Sequence, residues 1–171
     1  MNERLRKKYD QIYKQGAYEN FFSFSNKSIL EAIFNKLDDL NNKTLLDVGC
    51  GEGDLLKMLE KSGAKSLTGI DYSNEAIKIA ENNLKLRQDV FLRCIDAKDV
   101  EGKYDFITMA GVLEHVDRPF KLLRKLIKTN LNKKGKLISV SPSFMNPRGY
   151  IWMTLQKLLN VPMSLSDINF F

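Results

Sequence analysis

The sequence has one histidine and two cysteines, and no apolar run approaches the ~20 residues needed to cross a bilayer. Cys50 and Cys94 fall in or beside predicted strands, and neither lies in a metal-ligand spacing. Both are read as reduced and structural, which suits the cytoplasm. The start, Met1-Asn2-Glu3-Arg4, leads into no signal-peptide core. Acids are outnumbered, 21 against 27 Lys and Arg, for a net charge of +6. A basic balance can indicate nucleic acid. Here, however, the lysines are scattered along helices. The densest set (Lys121, Arg124, Lys125, Lys128, Lys133, Lys134 and Lys136) surrounds one predicted helix and its end, and reads as a solvated face. With 171 residues, 43% hydrophobic and 28% charged, the chain fits one soluble domain with a real core.

What is present is a glycine loop. Leu45-Leu46-Asp47-Val48 is a short apolar run with an acid near its end, and it breaks into Gly49-x-Gly51-x-Gly53. Apolar residues resume at helical spacing from Leu55. This is the pattern of a buried strand, a tight turn and a helix start. Glycines serve where the backbone takes positive φ or comes close to a ligand, and the helix start offers unpaired N–H groups. A dinucleotide fingerprint would need a third glycine at position 54, which is Asp54. Asp47 and Glu52 add negative charge, which suits a cationic ligand better than a pyrophosphate.

The rest of the pattern is a succession of β/α units. Residues 3–15 read as an amphipathic helix with Leu5, Tyr9, Ile12 and Tyr13 on one side, ended by Gly16. An aromatic segment follows with Tyr18, Phe21, Phe22 and Phe24. A helix is expected over 26–40, a strand over 44–48, and a helix over 53–62 that ends at Gly63. A second strand covers 67–70 and closes at Asp71, and Ser73 caps a helix over 74–87. A third strand covers 90–95 and ends at Asp96-Ala97. The fourth, over 104–110, runs into Gly111-Val112-Leu113-Glu114-His115-Val116. Pro119 suits the first turn of the next helix, Lys133-Lys134-Gly135 reads as its stop, and a fifth strand is expected over 136–140. A last helix is expected over 148–160. Five such units predict an α/β fold with a parallel sheet and right-handed crossovers.

The loop resembles the first motif, D-x-G-x-G-x-G, of Rossmann-like (class I) S-adenosylmethionine (SAM)-dependent methyltransferases. The Leu113-Glu114-His115-Val116 segment resembles the L-E-H-V-x-x-P stretch of small-molecule members, including ubiquinone-biosynthesis O-methyltransferases. The resemblance covers about residues 26–141 well. It implies SAM as cofactor and S-adenosylhomocysteine as product. Asp47, Gly49, Gly51 and Gly53 would form the cofactor loop. Asp71 would accept the ribose hydroxyls, Tyr72 would pack against the adenine, and Asp96 and Ala97 would meet the adenine edge. Ala110 and Val112 would leave room for the methionine part. His115 is either a base that takes a proton from a hydroxyl acceptor or a structural histidine. Some ubiquinone-pathway relatives carry an acid three residues before the glutamate of L-E-H; here that residue is Gly111, so no metal site is expected.

The expected chain is a single domain over 1–171, with an N-terminal cap at 1–40, a Rossmann-like core at 41–141 and a C-terminal helical segment at 142–171. The sheet should have about five strands flanked by helices, without the family's usual C-terminal antiparallel hairpin. The uncovered edge of strand five would invite pairing with a second copy. Ser141-Pro142-Ser143-Phe144 lacks the asparagine and paired prolines of N-P-P-Y and follows the wrong strand, which disfavours nucleic acid as substrate. The expected function is methyl transfer from SAM to a small-molecule acceptor; the alternative is a non-catalytic SAM-binding module or partner subunit.

Overall fold

The computed structural model of the chain describes residues 3–16, 27–84 and 88–141. The aromatic segment over 18–24, the last turn of the helix expected over 74–87, residues 142–144 and the helix expected over 148–160 lie outside the described residues. The strands are β1 (Thr44–Val48), β2 (Ser66–Asp71), β3 (Val90–Cys94), β4 (Tyr104–Ala110) and β5 (Leu131–Val140). They form one parallel sheet in the order β3-β2-β1-β4-β5. This is the expected α/β sheet, and among the described residues there is no antiparallel hairpin. The order reverses beside β1, so a crevice opens beyond the carboxyl ends of β1 and β4.

Both faces of the sheet are covered, which is why its central strands are apolar on both sides. On one face Leu45, Leu67 and Phe106 join Ile33, Leu55, Leu56, Ile77 and Leu84 in one buried cluster. Those partners come from α2 (residues 27–34), α3 (Asp54–Met58) and α4 (Asn74–Leu84). On the other face Leu46, Val48, Ile70, Ile107 and Met109 join Leu122 of α5 (Pro119–Lys125) and Leu126 just beyond it. The N-terminal helix α1 (Glu3–Lys14) lies on α4. Ser73 caps α4 as expected, its Oγ accepting from Ala76 N at 3.2 Å. Among the described residues no helix is long and apolar enough to cross a membrane.

Three element boundaries differ from the sequence reading. The helix expected over 26–40 stops at residue 34 and tightens into a turn, with Lys36 N donating to Ile33 O at 2.9 Å. Leu40 reaches the core from the irregular segment that follows, so its helical spacing was coincidental. The helix expected over 53–62 is the short α3, closed by three-residue turns at Glu60 and Ser62. The largest change concerns β5. No helix stop occurs at Gly135. Instead α5 widens into a π turn over Leu126–Asn130 and passes straight into the strand. Buried Asn130 fixes this transition, its Nδ2 donating to Gly102 O at 2.8 Å and Val100 O at 3.2 Å. The strand pairs Leu131 with Tyr104, bulges, and resumes with Lys136 opposite Phe106. Gly135 sits in that bulge, where an added Cβ would lie 2.7 Å from Asp105 O. It therefore serves a close approach of two backbones.

Candidate functional site

The loop between β1 and α3 is built on left-handed glycines. Gly49 has φ 72° and Gly51 has φ 53°, a region costly for residues with a Cβ. At Gly49 there is no space either, because an added Cβ would lie 2.5 Å from Val112 Cγ2. The loop is tied to β2 at its start, where Gly49 N and Cys50 N both donate to Ile70 O, at 2.8 and 3.0 Å. Gly53, also at positive φ, precedes α3 and accepts from Lys57 N at 2.9 Å.

Asp71, at the end of β2, takes up the middle of the loop. Its Oδ2 accepts from Gly51 N at 3.1 Å, and its Oδ1 accepts from Ser73 N at 2.9 Å. It is 7% exposed. Burial raises its pKa, opposed by the N–H groups of Ser73, Gly51 and Tyr72. Asp47 lies lower in the sheet, directly opposite Thr108 of β4. It is 3% exposed, and its Oδ1 accepts from Thr108 Oγ1 at 2.8 Å. Burial pushes its pKa from 3.8 up to about 7; the Thr108 hydrogen bond opposes this and the Asp71 charge adds to it. Two acids are thus buried close to one another towards the carboxyl ends of β1 and β2.

Asp96 stands at the end of β3 and caps a short turn, Ala97–Asp99, accepting from Lys98 N at 3.1 Å. Ala97 packs on the second core cluster and Ala110 on the first, at the ends of β3 and β4. Val112 abuts Gly49 and precedes the turn Leu113–His115. His115 is held there by its own N–H, which donates to Val112 O at 3.0 Å. Burial lowers its pKa; the Glu114 carboxylate opposes this and Lys8 adds to it. The imidazole is therefore neutral at neutral pH. Among the described residues, three side-chain atoms just beyond these strand ends are buried without a hydrogen-bond partner: Tyr72 Oη, Glu114 Oε2 and His115 Nδ1. Buried polar atoms without a partner are uncommon and point to a site that receives a ligand.

The sequence reading missed the contribution of α1. The Tyr9 ring stands edge-on to Tyr72, centroids 5.5 Å apart, and edge-on to His115 at 5.7 Å. It thereby links two candidate site residues that follow different strands, β2 and β4. Asp10 Oδ1 accepts from Ser73 Oγ at 2.6 Å, and an added Cβ at Gly51 would lie 3.1 Å from Tyr13 Oη. The available signal was Tyr9-Asp10-x-x-Tyr13, which sets both tyrosines on one helix face. Glu114, considered before only as a metal ligand, belongs to the same group. Among the described residues no group of three His, Cys, Asp or Glu could hold a metal ion. Cys50 and Cys94 are free thiols; Cys94 Sγ donates to Tyr72 O at 3.5 Å.

The sequence model of one family, described as a methyltransferase domain, matches residues 19–164. The mitochondrial ubiquinone biosynthesis O-methyltransferase of Saccharomyces cerevisiae is 33% identical over 117 residues, covering 66% of this chain and 38% of that protein. The ubiquinone biosynthesis O-methyltransferase of Aeromonas salmonicida is 30% identical over 131 residues, covering 74% of this chain and 54% of the relative. The chain thus spans about half the length of the curated relatives it matches or less. Among solved structures, a SAM-dependent methyltransferase from Listeria monocytogenes superposes with a TM-score of 0.61 at 24% identity, over 67% of this chain and 54% of that one. That likeness shows the shared fold.

Proposed function

Because this chain belongs to the methyltransferase-domain family, we propose that it transfers a methyl group from SAM to a small-molecule acceptor and releases S-adenosylhomocysteine. The observation that carries the reading is the Gly51–Asp71 hydrogen bond, which joins the glycine loop and the β2 acid into one cradle. The residues present fit the cofactor. Asp71 accepts from Gly51 N through Oδ2 and from Ser73 N through Oδ1, the Tyr72 N–H also faces its carboxylate, and of its four acceptor positions one is left for a ribose hydroxyl. The loop needs bare backbone at Gly49 and Gly51, where an added Cβ would meet Val112 Cγ2 at 2.5 Å and Tyr13 Oη at 3.1 Å. The buried charges of Asp47 and Asp71 favour a cation in the crevice.

Bound SAM supplies an electrophilic methyl group. The chain's own work is then alignment, from which proximity supplies much of the rate. Tyr72 holds the adenine by its ring, Asp96 and Ala97 meet the adenine edge, and Ala110 and Val112 flank the methionine part. His115, neutral and with Nδ1 unpartnered, takes the proton of a hydroxyl acceptor, and Glu114 Oε2 offers that acceptor a second hydrogen bond. The two ubiquinone-biosynthesis relatives are named as O-methyltransferases, which supports an oxygen nucleophile. The free thiols suit a cytoplasmic setting, and β5, last in the described sheet, supports pairing of two copies along that edge.

The test is calorimetric titration with SAM, S-adenosylhomocysteine and NAD, followed by turnover on a panel of hydroxyl, amine and carbon acceptors. Saturable binding of the first two without NAD, and release of S-adenosylhomocysteine with one acceptor class, is the expected result. Binding with no product from any acceptor would select the non-catalytic SAM-binding module instead.

A further inference from the structure

Each crossover of a parallel sheet normally lays a helix on one of its faces. Here α3, α4 and α5 do so after β1, β2 and β4. The crossover from β3 to β4, residues 95–103, holds only the single turn Ala97–Asp99. The face beneath it stays open near the amino ends of the strands, as a cavity of about 290 Å³. The sequence marks the same boundary. On this face Leu46, Val48 and Ile70 are aliphatic and belong to the second core cluster, whereas Thr44, Ser66 and Thr68 line the cavity with hydroxyls. Thr44 Oγ1 is used, donating to Asp105 Oδ2 at 3.1 Å. Thr68 is only 8% exposed, yet its hydroxyl has no hydrogen-bond partner among the described residues, and neither has that of Ser66. A buried hydroxyl facing a cavity without a partner is uncommon and points to a ligand. The walls carry charge of one sign. Arg93 of β3 and Lys103 line the cavity, no acid does, and neither cation forms an ion pair among the described residues. Asp105, near the start of β4, has both carboxylate oxygens bonded, to Thr44 and Asn132. Phe91, 50% exposed, adds ring surface from the β3 side, and Tyr104 from the β4 side. The Tyr104 ring is fixed by its Oη, which donates to Glu101 O at 3.1 Å.

We propose that this cavity binds a small organic anion built on a single planar ring. Its acid group, carboxylate or phosphate, meets Arg93 and Lys103, its ring lies between Phe91 and Tyr104, and a polar substituent reaches the Thr68 hydroxyl. An inorganic anion would satisfy the cations and leave both rings in water; a neutral ring would leave both cations unpaired. The volume stands at the small end of the range for ligand pockets, about 300–1,000 Å³, which limits the ligand to one ring. The site is separate from the cofactor crevice. Thr68 and Asp71 both lie on β2, about 10 Å apart along the strand, and their side chains leave the sheet on opposite faces. The inference therefore does not rest on methyl transfer.

The test is amide NMR of the full chain titrated with phenyl phosphate, benzoate, inorganic phosphate and benzyl alcohol. Saturable shifts are expected at Thr68, Arg93 and Tyr104 with a ring anion, and the tighter of phenyl phosphate and benzoate identifies the acid group. Inorganic phosphate and benzyl alcohol should bind about tenfold more weakly or less. Arg93→Gln should weaken the ring anion about tenfold, and Phe91→Ser about fivefold. Phe120→Ser, at an exposed aromatic on α5, should leave affinity unchanged. Matching melting temperatures check that each variant is folded; Lys103→Gln replaces one that is not. Absence of saturable shifts with both ring anions overturns the proposal, as does equal affinity of wild type and Arg93→Gln. Inorganic phosphate binding as tightly as phenyl phosphate overturns it in favour of an adventitious ion only. Shifts confined to Gly49, Gly51 and Gly53 overturn it in favour of the cofactor crevice.

Discussion

The backbone N–H of Gly51 donates to Asp71 Oδ2 at 3.1 Å, so the glycine loop and the end of β2 hold one another in place. Neither residue can change alone. Gly51→Val sets a β-branched residue at φ 53° and directs it toward Tyr13 Oη, 3.1 Å from the new Cβ. The strain is about 1–2 kcal/mol, which a domain of this size survives, whereas the ligand loses its approach to the backbone. We expect a folded protein with no measurable SAM affinity by calorimetry. Asp71→Ala removes the acceptor for Gly51 N and Ser73 N as well as the proposed ribose contacts. Affinity should fall by roughly 1–3 kcal/mol, and the melting temperature should fall too. Unchanged affinity in both variants would place the ligand elsewhere.

Asp47 links stability to pH. Its native pKa, about 7, stands above the ordinary 3.8, so the fold prefers the protonated carboxyl. The stabilisation is complete below the lower value and is lost as pH rises through the higher one. Melting of the ligand-free protein should therefore fall between those two pH values, and Asp47→Asn should flatten the fall. Asp71, also raised by burial, acts in the same direction. A cationic ligand reverses the preference, because it favours the ionised acid. The gain in melting temperature on adding SAM should grow over the same window. Parallel melting curves for wild type and Asp47→Asn across it would remove Asp47 from this account.

His115 is tested by its rate and by its pH profile together. For a hydroxyl acceptor, His115→Ala should lower kcat about 10²–10⁴-fold and leave SAM affinity within a few-fold. The acid limb of kcat/KM should lie below pH 6.5, because burial depresses the imidazole pKa. Glu114 raises that pKa, so Glu114→Gln should move the limb to still lower pH. A structural histidine would leave the limb in place in both variants. If kcat is unaltered in His115→Ala, the acceptor loses its proton to another group or to solvent.

The legible parts of this protein were local. The spacing Gly49-x-Gly51-x-Gly53, the acid closing β2 and the Ser73 cap each follow from what neighbouring backbone atoms require, and the structure holds all of them where the spacing indicated. What was not legible depended on distant partners. Tyr9 belongs to the site only because α1 returns across α4 to lie between Tyr72 and His115. The hydrogen bond of Asp47 to Thr108 was not legible either, because that partner is fixed by the pairing of β1 with β4. The exposed Phe120 could not be distinguished from core apolar residues until the inward face of α5 was known.

Gly135 gives the sharpest contrast between the two levels, and it can be measured. As the stop of a helix, it would tolerate alanine with a small effect, since no positive φ is required of it. In the β5 bulge, an added Cβ lies 2.7 Å from Asp105 O and 2.8 Å from Leu131 Cδ1. The Leu131 side chain can rotate away; the Asp105 carbonyl cannot, because its residue is held on both sides. Thr44 N donates to Asp105 Oδ2 at 2.9 Å, and Asn132 Nδ2 donates to Oδ1 at 2.8 Å. Gly135→Ala should therefore cost about 1–3 kcal/mol in urea unfolding, the usual range for overpacking a close contact. Asn132→Ala, which frees one side of Asp105, should make the alanine less costly, so the double variant should lose less than the sum of the singles. Strict additivity would mean that Asp105 is not what resists the new methyl group, and that the bulge relaxes by moving β5 instead.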